Sequence, residues 1–148
     1  MQEYVVHGLD ELKAFASEFL ENIVLRSDRA TVVTLSGDLG AGKTALTKLF
    51  AEVLGITETV SSPTFVLERR YMLKNSSQLR LLVHIDAYRL EGGVELQRIG
   101  WTQTLKNPDT LIVLEWPEQV EDALPSDRVR ITLEVVDADT RKLTVISR

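Results

Sequence analysis

The chain contains no cysteine among its 148 residues, which excludes disulfides and thiolate metal sites. It also lacks any apolar run approaching the roughly 20 residues that a membrane-spanning helix needs. Residues 1–4 carry neither the basic start nor the apolar core of a signal peptide. We therefore expect a cytoplasmic protein that has no association with a membrane.

Basic residues are scarce relative to acidic ones. The chain has 17 Lys and Arg against 22 Asp and Glu, so its formal net charge is −5. Proteins that bind RNA unaided usually present a basic face to the phosphates, and residues 68–70 are the nearest approach to a basic cluster. Autonomous nucleic-acid binding is therefore not expected, although a part in RNA chemistry through partners stays open. The length and the hydrophobic content of 44% predict one globular domain over residues 1–148.

The most informative stretch fits the phosphate-binding pattern G-x-x-x-x-G-K-[ST] at every fixed position. It consists of Gly37, Asp38, Leu39, Gly40, Ala41, Gly42, Lys43 and Thr44. Loops of this type aim backbone N–H groups at the phosphates of a nucleotide, and the following helix adds the partial positive charge of its N-terminus. In that chemistry Lys43 reaches the β and γ phosphates, and the Thr44 hydroxyl is a ligand of Mg²⁺.

The flanking sequence supports this interpretation of the loop. A β-branched run at residues 31–35 precedes it, and apolar residues at helical spacing follow it as far as a capping glycine, Gly55. A glycine turn in an ordinary α/β protein is the alternative, and the strand–loop–helix context makes it the poorer explanation.

The rest of the chain predicts an α/β fold, namely a P-loop NTPase-like three-layer sandwich with a mostly parallel central sheet and antiparallel hairpin additions. Asp10 is interpreted as the N-cap of an amphipathic helix that extends to Val24. The remaining predictions are a strand at 4–6, a hairpin of strands 65–71 and 79–85 with a turn at 74–77, one or two short helices within 94–105, a buried strand from 111, and a terminal hairpin of strands 128–135 and 141–146.

Two carboxylates stand at the ends of apolar strands. Asp86 closes residues 81–86 in the Walker B arrangement, where it can support a magnesium ion. Glu115 closes the strand that starts at residue 111, and it can either polarise an attacking water or complete the metal shell. A surface glutamate without a role is the alternative for Glu115. His84 shares a strand face with Asp86, and a hydrogen-bonded structural histidine is the better interpretation of it than a metal ligand.

Residues 57–65 form a polar stretch in which Pro63 favours an extended conformation at Ser62. A nucleotide-sensing switch and a simple connecting loop explain this pattern equally well.

Three other functions agree less well with the residues. A small-molecule kinase usually needs an arginine-bearing lid, for which Arg89 is a single candidate. A GTPase usually carries Asn-Lys-x-Asp, whereas residues 106–109 read Lys-Asn-Pro-Asp, so ATP is the better prediction. A pure interaction module, without a functional catalytic site, is disfavoured because the candidate catalytic residues are all present, namely Lys43, Thr44, Asp86 and Glu115.

Four motifs in the same order resemble the TsaE (YjeE) family over nearly the whole chain. They are the phosphate loop at 37–44, Ser62-Pro63-Thr64-Phe65, the run from His84 to Leu90, and Glu115-Trp116-Pro117-Glu118. The resemblance implies a small ATPase of tRNA threonylcarbamoyladenosine formation, which modifies the adenosine next to the anticodon. It implies ATP and Mg²⁺ as cofactors and TsaD and TsaB as protein partners, with tRNA bound only indirectly through that complex.

The resemblance also assigns roles to residues. Lys43, Asp86 and Glu115 would be catalytic, and Thr44, Thr64, Asp86 and Glu115 would surround the metal. Residues 37–45 would bind the nucleotide, and Trp116 would either lie beside the nucleotide or contact a partner. Two departures from the family pattern are Ala45, where a second threonine is common, and the segment at 97–101, which is less acidic than the family pattern and could alter a partner surface.

Overall fold

The computed structural model describes residues 1–58, 60, 67–74 and 78–147. The predicted switch at Ser62-Pro63-Thr64-Phe65 and most of the predicted turn at 74–77 lie outside these residues. The helices are α1 (Gly8–Asn22), α2 (Lys43–Val53), α3 (Val94–Gln97) and α4 (Trp101–Leu105), and short 3₁₀ turns span Pro117–Gln119 and Glu121–Ala123. The strands are β1 (Gln2–His7), β2 (Thr31–Ser36), β3 (Glu68–Met72), β4 (Leu81–Asp86), β5 (Thr110–Glu115), β6 (Val129–Val135) and β7 (Thr140–Ile146).

The seven strands form one sheet in the order β1-β7-β6-β2-β5-β4-β3. The four central strands β6, β2, β5 and β4 are parallel, whereas β3, β7 and β1 each pair antiparallel with their neighbours. Every residue of β5 is buried, as expected for a parallel strand covered on both faces. The prediction of a mostly parallel central sheet with antiparallel hairpin additions is confirmed.

Helices cover both faces of the sheet and so produce three layers. On one face α1 and α2 pack against alternating strand residues that include Val33, Leu35, Leu111 and Val113. On the other face α3 and α4 cover Val32, Val83, Ile85, Ile112 and Leu114. No helix in the described ranges is long and apolar enough to cross a bilayer.

The start of α1 differs from the prediction. The helix begins at Gly8, so Asp10 lies inside its first turn and is not the N-cap. The backbone N–H of His7 instead donates to the Glu11 carboxylate at 2.9 Å, which satisfies an N-terminal donor without Asp10. At the other end α1 stops at Asn22, and Val24 lies beyond it with 85% of its surface exposed.

The end of α2 agrees with the prediction. Gly55 follows the helix in a left-handed conformation with φ 84°. Its N–H donates to the carbonyl of Glu52 and the N–H of Ile56 donates to that of Ala51, both at 3.0 Å. These two bonds form a Schellman motif, which satisfies carbonyls that the helix end leaves unpaired.

Candidate functional site

The phosphate loop connects β2, at the centre of the sheet, to the first turn of α2. Gly37 and Gly40 adopt φ values of 149° and 80°. A Cβ atom on Gly37 would lie 2.5 Å from the carbonyl oxygen of Leu133 in β6, so this position has no room for a side chain. The N–H of Ala41 donates to the carbonyl of Asp38 at 3.0 Å and closes the turn before α2 begins.

Lys43 is the first residue of α2, and its side chain turns back over the loop. The ammonium donates to the carbonyl oxygen of Gly37 and, at 2.9 Å, to that of Asp38. It also lies 4.1 Å from the centroid of the Trp116 ring. Burial lowers the pKa of Lys43, and the nearby carboxylates, Glu115 first among them, partly oppose this shift.

The two predicted carboxylates meet at the carboxyl ends of adjacent parallel strands. Asp86 of β4 and Glu115 of β5 are partners in the strand register. Asp86 accepts a hydrogen bond from the N–H of Tyr88 at 3.0 Å. Burial raises the pKa of Asp86, and the negative charge of Glu115 raises it further.

Glu115 is only 2% exposed and is held from two sides. The Thr44 hydroxyl lies 3.1 Å from Oε1 and 3.4 Å from Oε2. On the side of β4, Nε2 of His84 lies 2.5 Å from Oε2. The structure therefore brings Thr44, Asp86 and Glu115 together beside Lys43.

Trp116 follows Glu115 in a left-handed conformation with φ 61° and ψ 53°. It is the one residue other than glycine with a positive φ in the part of the chain that the structure describes. Its N–H donates to the carbonyl of Leu35 in β2 at 3.2 Å, and its ring lies 4.9 Å from that of Tyr88. This conformation places the indole over the ammonium of Lys43.

These groups surround a cavity of about 680 Å³. Most of the predicted nucleotide-binding residues line it, namely Leu39, Gly40, Gly42, Lys43, Thr44, Ala45 and Trp116. Asp86, Glu115 and Arg89 line it as well. Gly37, Asp38 and Ala41 shape the loop behind the lining, and Thr64 lies outside the described residues.

Comparison with known proteins agrees with this geometry. The family model for "Threonylcarbamoyl adenosine biosynthesis protein TsaE" matches residues 6–143. The chain belongs to the TsaE family. The resemblance indicated by the four motifs is thereby confirmed, and with it a place among proteins of tRNA threonylcarbamoyladenosine biosynthesis.

Individual TsaE proteins match most of the chain. The tRNA threonylcarbamoyladenosine biosynthesis protein TsaE of Bacillus subtilis is 42% identical over 76% of this chain and 67% of its own length. That of Haemophilus influenzae is 32% identical over 100% of this chain and 90% of its own. The crystal structure of Bacillus subtilis YdiB superimposes with a TM-score of 0.76 at 29% identity, covering 99% of this chain and 84% of that one.

The donor set of this TsaE chain fits Mg²⁺ and a nucleotide. Thr44, Asp86 and Glu115 offer the hydroxyl and carboxylate oxygens that Mg²⁺ prefers. No group of three or more His, Asp or Glu side chains within the described ranges could hold a metal by itself. This agrees with the usual binding of Mg²⁺ through one or two carboxylates together with phosphate oxygens of the ligand.

The contact of His84 with Glu115 was not predicted from the sequence. The strand period of two places His84 and Asp86 on one face, and that was visible in the sequence. In the register of β4 and β5, however, His84 pairs with Val113, two residues before Glu115. Only this strand pairing makes His84 and Glu115 diagonal neighbours, because it joins residues far apart in the chain.

Proposed function

We propose that this chain is a Mg²⁺-dependent ATPase of the cytoplasm that acts on the TsaD–TsaB transferase pair. Its ATP cycle would sustain turnover in the modification of the adenosine next to the anticodon. Residues 1–148 would work as one ATPase domain. One observation carries the proposal: Lys43, Thr44, Asp86 and Glu115 converge on a single cavity at the phosphate loop. Family membership supplies the pathway.

The residues of the site divide into those that would bind the nucleotide and those that would hold the metal ion. The backbone N–H groups of the loop and the ammonium of Lys43 would hold the phosphates, with Lys43 exchanging its contacts to Gly37 and Asp38 for phosphate oxygens. Thr44 and Asp86 would hold the magnesium ion. A bound Mg²⁺ neutralises charge that develops on the phosphates during hydrolysis. Trp116 would flank the nucleotide at the wall of the cavity.

Glu115 would orient and polarise the attacking water. Its carboxylate is buried, and the distance of 3.1 Å to the Thr44 hydroxyl places it beside the proposed metal ligand. The pKa of neighbouring Asp86 is raised by burial and by Glu115 itself, so the two carboxylates repel one another without a cation. A bound metal ion would relieve this repulsion.

Among the residues that the structure describes, no arginine that lines the cavity is held in place. Arg89 lines the cavity, but it is exposed and makes no hydrogen bond or ion pair with them. Arg141 donates to the carbonyl of Ala41 in the phosphate loop at 3.1 Å but does not line the cavity. Isolated P-loop enzymes of the switch type turn over at about 10⁻⁴ to 10⁻² s⁻¹, and a supplied arginine is worth about 10³–10⁵. We therefore expect slow hydrolysis by the chain alone and faster hydrolysis with its partners.

The tRNA would be bound mainly by those partners. A net charge of −5 gives this chain no general attraction for a polyanion.

The test is ATP hydrolysis with Mg²⁺, alone and with purified TsaD and TsaB. We expect slow turnover that rises when both partners are added. Equal rates with and without them would refute the coupling, and transfer of phosphate to a small acceptor would indicate a kinase instead.

Two variants test the catalytic assignment. Glu115→Ala should bind nucleotide normally and lose hydrolysis, whereas Glu118→Ala, an exposed glutamate three residues further on, should keep both. Hydrolysis retained in Glu115→Ala would remove Glu115 from the catalytic role.

A further inference from the structure

His84 is a fully buried histidine of β4 on the sheet face that α1 and α2 cover. Its exposure is 0%. On that face Leu82 precedes it and Val113 of β5 lies beside it, while Asp86 follows it and Arg69 of β3 is its register partner on the other side. Burying a polar ring among apolar side chains is unfavourable unless a hydrogen bond compensates for the lost water. The partner of His84 is Oε2 of Glu115, at 2.5 Å from Nε2.

The surroundings of the second ring nitrogen indicate where the hydrogen lies. Nδ1 of His84 is buried and has no hydrogen-bond partner in the described part of the chain. An N–H group at Nδ1 would therefore be a donor without an acceptor, which is costlier than an unused lone pair. A hydrogen on Nε2 avoids this cost, because Nε2 then donates to Glu115.

This hydrogen bond fixes the orientation of the Glu115 carboxylate. Oε2 is bound by His84 from β4, while Oε1 makes the shorter contact with the Thr44 hydroxyl from α2. A carboxylate held at one oxygen cannot rotate freely about its last torsion, so its other oxygen keeps a defined direction.

We infer that His84 is a positioning residue for Glu115, holding Oε2 so that Oε1 faces the Thr44 side of the site. The inference rests on the proposed ATPase function, because orientation of Glu115 matters for rate only if Glu115 acts on the attacking water. Partners of this kind, one contact behind a functional group, typically change activity by about 10–100-fold when removed.

The test compares two amides at position 84. In His84→Gln the side-chain amide nitrogen reaches about as far as Nε2 and can donate to Glu115. In His84→Asn the amide is one methylene shorter and reaches only the level of Nδ1. Both variants are polar and smaller than histidine. His84→Asn also leaves a void one methylene larger, so urea denaturation of both variants measures this loss of packing separately from kcat.

We expect kcat of His84→Asn to fall by about 10–100-fold and that of His84→Gln to stay within a few-fold of the wild type. KM should change little in either variant. The affinity for a non-hydrolysable ATP analogue, followed by Trp116 fluorescence in a Trp101→Phe background, should also change little. Equal kcat values for His84→Asn and His84→Gln would overturn the inference.

A second measurement leaves position 84 unchanged. The chain has two histidines, and His7→Gln leaves His84 as the only one. Nitrogen NMR of its ring should show hydrogen on Nε2. A ring with hydrogen on Nδ1 alone would overturn the inference, since Nε2 could not then donate to Glu115.

The outcomes separate this inference from the proposed function. A protein without ATPase activity, with or without TsaD and TsaB, overturns the proposed function and with it the catalytic purpose of the contact. An active protein in which His84→Asn retains wild-type kcat overturns only the role of His84.

Discussion

Substituting alanine at Gly37 should destabilise the protein more than the same substitution at Gly40. Both glycines have positive φ, 149° and 80°, so both variants carry the strain of a side chain in that region, about 1–2 kcal/mol each. The environments differ. A Cβ at Gly37 would lie 2.5 Å from the carbonyl oxygen of Leu133, whereas nothing lies within 4 Å of a Cβ at Gly40.

The contact at Gly37 cannot be relieved by turning a side chain, because the obstructing atom belongs to the backbone of β6. The loop or the strand must shift, which adds about 1–3 kcal/mol, the usual cost of overpacking. We therefore expect Gly37→Ala to lower the free energy of unfolding by about 2–5 kcal/mol and Gly40→Ala by about 1–2 kcal/mol.

Urea denaturation followed by circular dichroism measures both values. Equal destabilisation of the two variants would refute the reasoning, because the close contacts with Leu133 and Ala41 exist at Gly37 and not at Gly40. So would a Gly37→Ala protein as stable as the wild type. Gly37→Ala should also weaken nucleotide binding, since any shift of the loop misdirects its N–H groups.

Two further predictions concern charges in the site. Lys43→Ala should weaken ATP binding by about 10–100-fold or more, because it removes a charged donor to the phosphates. Lys48 is exposed further along α2, and Lys48→Ala should leave ATP binding unchanged. Trp116 fluorescence in a Trp101→Phe background measures the ATP affinity of both variants. Asp86→Asn should stabilise the nucleotide-free protein at neutral pH and abolish Mg²⁺-dependent hydrolysis. Because the pKa of Asp86 is raised above the ordinary value of 3.8, the wild type loses stability as the pH rises through that raised value, so the advantage of Asp86→Asn should vanish in urea titrations at lower pH. An advantage that persists below pH 3.8 would contradict this explanation.

Sequence patterns correctly predicted the elements that are determined by residues close together in the chain. The strand–loop–helix unit and the cap at Gly55 were predictable because positive φ and tight turns require glycine. The start of α1 was mispredicted because several residues near it can satisfy its first N–H groups. Asp10 fits the N-cap preference, but the carboxylate of Glu11 takes the N–H of His7 instead.

The sequence was sufficient to predict which residues belong to the candidate site, but not which of them contact one another. Asp86 and Glu115 were recognisable as carboxylates that close apolar strands. That they face one another follows from the pairing of β4 with β5, which joins distant parts of the chain. The left-handed backbone of Trp116 could not be predicted, because bulky side chains rarely adopt it and no local pattern specifies it.

The central place of β2 determines how late in folding the phosphate loop can form. Both of its neighbours, β5 and β6, come from the last third of the chain, and the loop lies against the backbone of Leu133. Helix α2 can form early from local contacts, but β2 has nothing to pair with until these distant strands arrive. A fragment that stops before β6 would contain every residue of the phosphate-binding motif and still lack the strand against which the loop packs. In this fold the loop can therefore adopt its conformation only once the sheet is complete.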